Sequence, residues 1–123
     1  MTTIEQVKRY FSESGLSDGF IIQDYEWSES GGHDLDAYMV FQQRDGTGRI
    51  NDLGGDDFFT VSLISGKGWV EFVAQRAYEI LDYVRCHAQS HGLNFIINIS
   101  GFVNPVQTAE GRYWIPLTFR CTS

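Results

Sequence analysis

Residues Trp69 to Ser90 read W-V-E-F-V-A-Q-R-A-Y-E-I-L-D-Y-V-R-C-H-A-Q-S, and the reading of this stretch decides the fold. Val70, Val73, Ala74, Ala77, Ile80, Leu81, Val84 and Ala88 recur at steps of three and four, which places them on one stripe of an α-helix. Glu71, Gln75, Glu79, Asp82, Arg85 and Gln89 fill the other side. No Gly or Pro interrupts the run, and Gly92 beyond it offers a left-handed stop, so a helix is predicted over 69–90. The flanks, F-F-T-V-S-L-I-S-G-K-G from Phe58 and G-L-N-F-I-I-N-I-S-G from Gly92, read as strands. A helix this long needs a sheet to bury its stripe.

The rest of the chain supplies that sheet. Residues 3–14 read as a first helix, capped by Thr2 or Thr3 with Glu5 or Gln6 three positions on. Ile4, Val7, Tyr10 and Phe11 form its apolar stripe, and Gly15 ends it. Strands are predicted over 20–27, 37–43 and 58–65, the last alternating Phe59, Val61 and Leu63 against Thr60 and Ser62. In the fourth strand Phe95, Ile97 and Ile99 alternate with Asn94, Asn98 and Ser100, which assigns the isoleucines 97 and 99 to the core. In the closing strand Tyr113, Ile115, Leu117, Phe119 and Cys121 share a face. Pro116 has no N–H to give a ladder, which predicts an edge position or a bulge there. The expected fold is therefore α+β: an N-terminal helix and a mixed or antiparallel sheet of four to five strands, with the 69–90 helix on one face. Val73, Ala77, Ile80, Leu81 and Val84 should pack on Phe59, Val61, Ile97, Ile99 and Ile115. With 123 residues and no linker or repeat, residues 1–123 read as a single domain.

The composition narrows the function classes. Sixteen acidic against nine basic residues give a formal charge of −7, which argues against wrapping nucleic acid or resting on an anionic membrane. No run is apolar enough to span a bilayer, and the first residues lack the pattern of a signal peptide. The two cysteines, Cys86 and Cys121, then read as free, mostly buried thiols in a reducing compartment.

No motif assembles into a catalytic or metal-binding constellation. S-G-K-G-W at Ser65 to Trp69 stands where a strand turns into a helix, but the phosphate loop's hydroxyl position is occupied by Trp69, and a tight turn explains the glycines. D-G-T-G-R-I from Asp45 imitates a calcium loop, yet Gln43 and Gly54 fall where carboxylates are needed. A looser cation site at Asp52, Asp56 and Asp57 stays open beside the reading of solvated loop carboxylates. His87 and His91 share a helical face next to Cys86, but Ala88 replaces the glutamate of H-E-x-x-H, and histidines suit a helix C-terminus by dipole alone. His33, Asp34 and Asp36 lie in a Gly/Ser loop without a nucleophile beside them. Asn98-Ile99-Ser100 is a formal glycosylation sequon within a strand. Trp27 and Trp114 read first as core, second as interface. What remains is the stretch from Arg44 to Asp57, R-D-G-T-G-R-I-N-D-L-G-G-D-D, a long and mobile loop by composition; long loops in compact domains are often functional.

The capped first helix, the strand V-F-Q-Q-R from Val40, the glycine-bearing loop, the strand F-F-T-V-S-L, the long helix and the closing G-R-Y-W-I-P-L-T-F resemble phage tail terminator proteins of lambda-type long-tailed phages and prophages. The resemblance covers nearly the whole chain as a pattern of elements, most specifically from Gly111 to Phe119. It implies a non-enzymatic protein with no catalytic residues, cofactor or metal. Such proteins form a hexameric ring that caps the tail tube, stops its polymerisation and joins it to the head connector. The implied partners are further copies of the chain, the major tail tube protein and the connector. DNA only passes through, and no membrane is involved. The implied location is the host cytoplasm during assembly, then the tail or neck of the virion. Related neck and tail-completion proteins share the fold, which leaves the station along the particle open. Within this frame Arg44, Asp45, Arg49, Asp52, Asp56 and Asp57 are the candidate interface or lumen residues. Two other classes compete: a ferredoxin-like ligand-binding module, which would need the order β-α-β-β-α-β, and a metal-dependent hydrolase built on the aspartate loop.

Overall fold

The computed structural model describes residues 3–24, 36–44, 57–89, 95–108 and 111–122. Their order is α1 (Thr3–Glu13), β1 (Ile21–Asp24), β2 (Tyr38–Arg44), β3 (Asp57–Ile64), α2 (Val70–Cys86), β4 (Phe95–Asn98), β5 (Val106–Gln107) and β6 (Tyr113–Thr122). The fold is α+β, and this order is not the ferredoxin-like one. The strands form one six-stranded sheet in the order β1-β2-β3-β6-β4, with the short β5 also paired to β6. β1 runs parallel to β2; the other pairings are antiparallel. The sixth strand, β5, is only two residues long.

One core joins both helices to one face of the sheet. Ile4, Val7, Tyr10 and Phe11 of α1 and Val73, Ala77, Ile80 and Val84 of α2 meet alternate strand residues: Met39 and Phe41, then Phe59, Val61 and Leu63, then Ile115, Leu117, Phe119 and Cys121. The helical period of three to four and the strand period of two thus converge on the same surface, as each stripe must to leave water. α1 ends as its sequence requires. Gly15 takes φ +80°, and Leu16 donates its N–H back to the Phe11 carbonyl. On the second face Tyr38, Val40 and Ile64 make a small buried cluster.

Four expectations need correction. α2 stops at Cys86 rather than running to Ser90. The next carbonyls are claimed by tertiary partners: His87 accepts from the Tyr10 hydroxyl at 2.9 Å, and Ala88 accepts from the Ile96 N–H at 2.9 Å. Ala88 therefore lies outside the helical stripe. Leu81, on the margin of that stripe, is only partly buried. Leu81→Ala should cost less than the ~2 kcal/mol at which fully buried leucines begin; a larger loss in a urea titration would place Leu81 inside the core.

β4 faces the other way from the expectation. Ile96 is fully buried, whereas Ile99 is 49% exposed. Pairing decides this, because Ile96 stands opposite Cys121 on the core face of β6, and a one-residue shift moves every side chain across the sheet.

β6 is not an edge strand. It lies between β3 and β4, with Pro116 opposite Ser62. The Tyr113 carbonyl accepts from Ser65 on the β3 side, and the Thr118 carbonyl accepts from Ile99 on the other side. Backbone groups alternate along a strand, so the Pro116 nitrogen faces the second side. There β5 covers only Tyr113 and Trp114, and β4 only Phe119 to Thr122. Proline sits in the gap between them, where no ladder bond is lost.

The surface assignments shift as well. Trp114 is 40% exposed rather than core, and Trp27 lies outside the described residues. Neither cysteine forms a disulfide, but Cys86 is exposed while Cys121 is buried.

Candidate functional site

The acidic stretch connects β2 to β3. Arg44 closes β2 opposite Phe58, and Asp57 opens β3 opposite Cys121. The register brings the start of β4 to the same end of the sheet, since Phe95 pairs with Thr122. Asp45, Arg49, Asp52 and Asp56 lie outside the described residues, as do His33, Asp34 and His91. The structure therefore fixes where this stretch leaves the sheet and where it returns.

The other sequence motifs are engaged in holding the fold. Ser65 is fully buried. Its N–H donates to the Tyr113 carbonyl, and its hydroxyl accepts from the Tyr113 N–H, both at 2.9 Å. The S-G-K-G turn thus ties the end of β3 to the start of β6, with Gly68 at φ +77°. His87 stacks on Tyr83 with ring centroids 4.0 Å apart, and its Nδ1 lies 3.0 Å from the Tyr83 carbonyl at the end of α2. Asn98 shapes the turn after β4. Its Nδ2 donates to the Thr118 carbonyl and its Oδ1 accepts from the Gly101 N–H at 2.7 Å. Among the described residues no three His, Cys, Asp or Glu side chains cluster as a metal site would.

Sequence reasoning missed Arg112. It is 1% exposed and lies 5.4 Å from the centre of the Tyr38 ring. Its Nη1 donates to the Asp36 carbonyl at 2.7 Å and to the Ser65 carbonyl at 3.0 Å. A single arginine between a glycine and a tyrosine carries no sequence signal of burial.

Two apolar surfaces are also built deliberately. At the start of α2, Trp69 is 55% exposed beside Phe72, which stacks on Phe20 at 5.1 Å. Arg76 lies over both rings and donates to the Leu16 and Asp18 carbonyls, which pins the α1–β1 connection to α2. Gly19 has φ +85°, which favours glycine, and a Cβ there would come within 3.2 Å of the Phe72 ring, which would have to shift slightly. Along the second half of α2, a groove of about 590 Å³ runs between the helix and β4, floored by Leu81, Val84, Ala88 and Ile97. Tyr78 stacks flat on Phe102 at 4.3 Å beside it. Asp82 and Arg85 pair at 2.6 Å on its rim. That hydrogen bond raises the Arg85 pKa, helped by the charge of Asp82, although a guanidinium is already charged throughout the ordinary pH range.

The family model for phage tail termination proteins matches residues 1–123. This chain belongs to that family. It is a phage tail assembly protein, and its partners are components of the tail. Four solved chains match its fold. One of them superposes with a TM-score of 0.57 at 13% identity, covering 100% of this chain and 97% of that one. At that identity the likeness establishes the architecture alone. No curated protein matches. Among the described residues of this tail termination protein, no helix is long and apolar enough to cross a membrane. Trp69, Tyr78, Ile99 and Trp114 are among the large apolar side chains this tail protein leaves exposed.

Proposed function

We propose that the chain acts without catalysis, as a ring, hexameric by family resemblance, that seats on the end of the tail tube. There it stops tube polymerisation and presents a surface to the head connector. The observation that carries this reading is the match of the tail termination family over the whole chain. The small sheet with both helices packed on one face suits a contact protein. Assembly would take place in the host cytoplasm before incorporation into the virion. The test combines light scattering with electron microscopy of tail tubes assembled with and without the protein. A hexamer and tubes of bounded length are expected; tubes whose length ignores the protein would overturn the assignment.

Within such a ring, Asp45, Asp52, Asp56 and Asp57 would face the channel or its rim, flanked by Arg44 and Arg49. Six copies carry 6 × −7 = −42 formal charges. A basic lumen would hold passing DNA, because each phosphate contact with Lys or Arg releases counterions and adds affinity. Replacing the four aspartates by asparagine is expected to leave monomer stability nearly unchanged while the ring begins to retain DNA at low salt. Retention should weaken as salt rises. A ring whose DNA retention is the same before and after the substitution would return these charges to a role in solubility.

A further inference from the structure

Resting on the ring reading, we infer that neighbouring copies join through the two ends of the sheet, β1 of one copy pairing antiparallel with β4 of the next. A closed ring needs head-to-tail contacts, in which two different surfaces of the same chain meet. The two ends of this sheet are β1 and β4, and each is four residues long. Among the described residues neither outer edge pairs with a further strand. Such an edge is a template for another chain and is usually blunted by charge or proline. Here I-I-Q-D and F-I-I-N carry one charge, Asp24, already paired with Lys8 at 3.0 Å.

Direction and register follow from the backbone. β1 runs with β2, β2 against β3, β3 against β6 and β6 against β4, so β1 and β4 point in opposite senses. A ring that continues the sheet from copy to copy therefore brings them together antiparallel, the geometry that accepts short strands readily. The Ile21 N–H donates inward to Ala37, which turns the backbone groups of Ile22 and Asp24 outward. Just past the end of β4 the Ile99 N–H donates inward to Thr118, which turns the backbone groups of Asn98 and Ile96 outward. The Ile96 N–H is already taken by Ala88, so Asn98 is the residue left to exchange bonds with Ile22. That register places Ile21 opposite Ile99. Both lie on the sheet face away from the helices, because Ile21 aligns with Tyr38 and Ile99 alternates from the core residue Ile96. They are 43% and 49% exposed, two apolar side chains that would cover each other as a cross-strand pair.

The test uses the full chain with exposed Cys86 replaced by serine, alone at high concentration and on tail tubes. Ile21→Cys and Ile99→Cys together should give a covalent ladder on a non-reducing gel that climbs to the ring number, since directly opposed strand residues meet disulfide geometry. Each single variant should stay monomeric on the gel. An intact ring with no ladder, or single variants that cross-link to dimers, overturns the pairing while leaving the ring. A wild-type chain that is monomeric in both settings overturns the ring and the pairing with it. As a second measurement, Ile21→Lys alone and Ile99→Glu alone should each lose the oligomer, and the two together should restore it. Oligomers untouched by either single change would overturn the pairing as well.

Discussion

Phe119→Ala is expected to lower the unfolding free energy by about 3–5 kcal/mol, the range for a fully buried phenylalanine. Phe119 is fully buried on β6, opposite Phe59 of β3, and meets the Phe11 ring edge-on at 5.9 Å. It is the point where α1 and two strands touch. Truncation removes the transfer free energy of the ring and leaves a hole that its neighbours cannot fill. Phe59 is fixed by the ladder, and Phe11 is fixed by its own edge contact with Phe41 at 5.4 Å. The edge-to-face contact adds about 0.5–1.5 kcal/mol to what area alone gives. A domain of this size is stable by ~5–15 kcal/mol, so the variant should be near the threshold of folding at room temperature. The check is a urea titration read by tryptophan fluorescence. The midpoint should fall with the slope unchanged, and Phe119→Leu should lose much less. A loss below ~1 kcal/mol would mean that α1 does not press on the sheet at this point.

The same residues explain why part of the fold was legible in the sequence. Phe119 belongs to a run in which apolar residues strictly alternate from Ile115 to Cys121, and the structure buries each of them. The α1 stripe and the Val73-Ala77-Ile80-Val84 stripe were legible for the same reason: polar residues between them leave one period possible. β4 gave no such contrast. Phe95, Ile96 and Ile97 are consecutive and apolar, so alternation cannot choose a face, and the choice is made by Cys121 across the ladder. The end of α2 was missed because Cys86 to Ser90 contains neither glycine nor proline. The helix is cut by bonds from Tyr10 and Ile96, residues distant in sequence. Pro116 pointed to an edge or a bulge because it has no N–H to give, and the structure instead places it in the middle of the sheet. What the sequence could not show was that β4 and β5 leave a gap there in the middle of the sheet.

The candidate site divides along the same line. The acidic stretch was conspicuous because composition alone marks it, and the structure anchors its ends at Arg44 and Asp57. The edges β1 and β4 were not conspicuous. Which strands lie at the ends of a sheet is a property of pairing order, and four-residue strands such as I-I-Q-D carry too little periodicity to reveal it. The aromatic patch around Phe72 and Arg76 depends on Gly19 permitting close approach of a ring from a helix far along the chain.

Arg112→Met is expected to destabilise the protein by about 2–3 kcal/mol, although it preserves most of the buried volume. Buried charges are often no better than a well-packed apolar substitute, because the cost of dehydrating the ion offsets its attractions. That comparison holds when the whole group of polar partners is replaced together. Here the partners of Nη1 are main-chain carbonyls, those of Asp36 and Ser65, which no side-chain substitution can remove. The bond to Ser65 is buried, so its loss leaves an acceptor away from water, at a cost of about 1–3 kcal/mol. The contact with the Tyr38 ring is lost as well, worth about 0.5–2 kcal/mol for a cation over an aromatic face. Working against these losses is the hydration recovered when the guanidinium is no longer buried. The balance is tested by comparing Arg112→Met with Arg112→Ala in the same urea titration. If the carbonyls dominate, methionine should lose most of what alanine loses, and amide exchange at Tyr113, whose N–H is held by Ser65, should accelerate in both. If dehydration dominates, methionine should match or exceed the wild type with Tyr113 exchange unchanged, and Arg112 would then be held for its geometry at the Asp36–Ser65 junction rather than for stability.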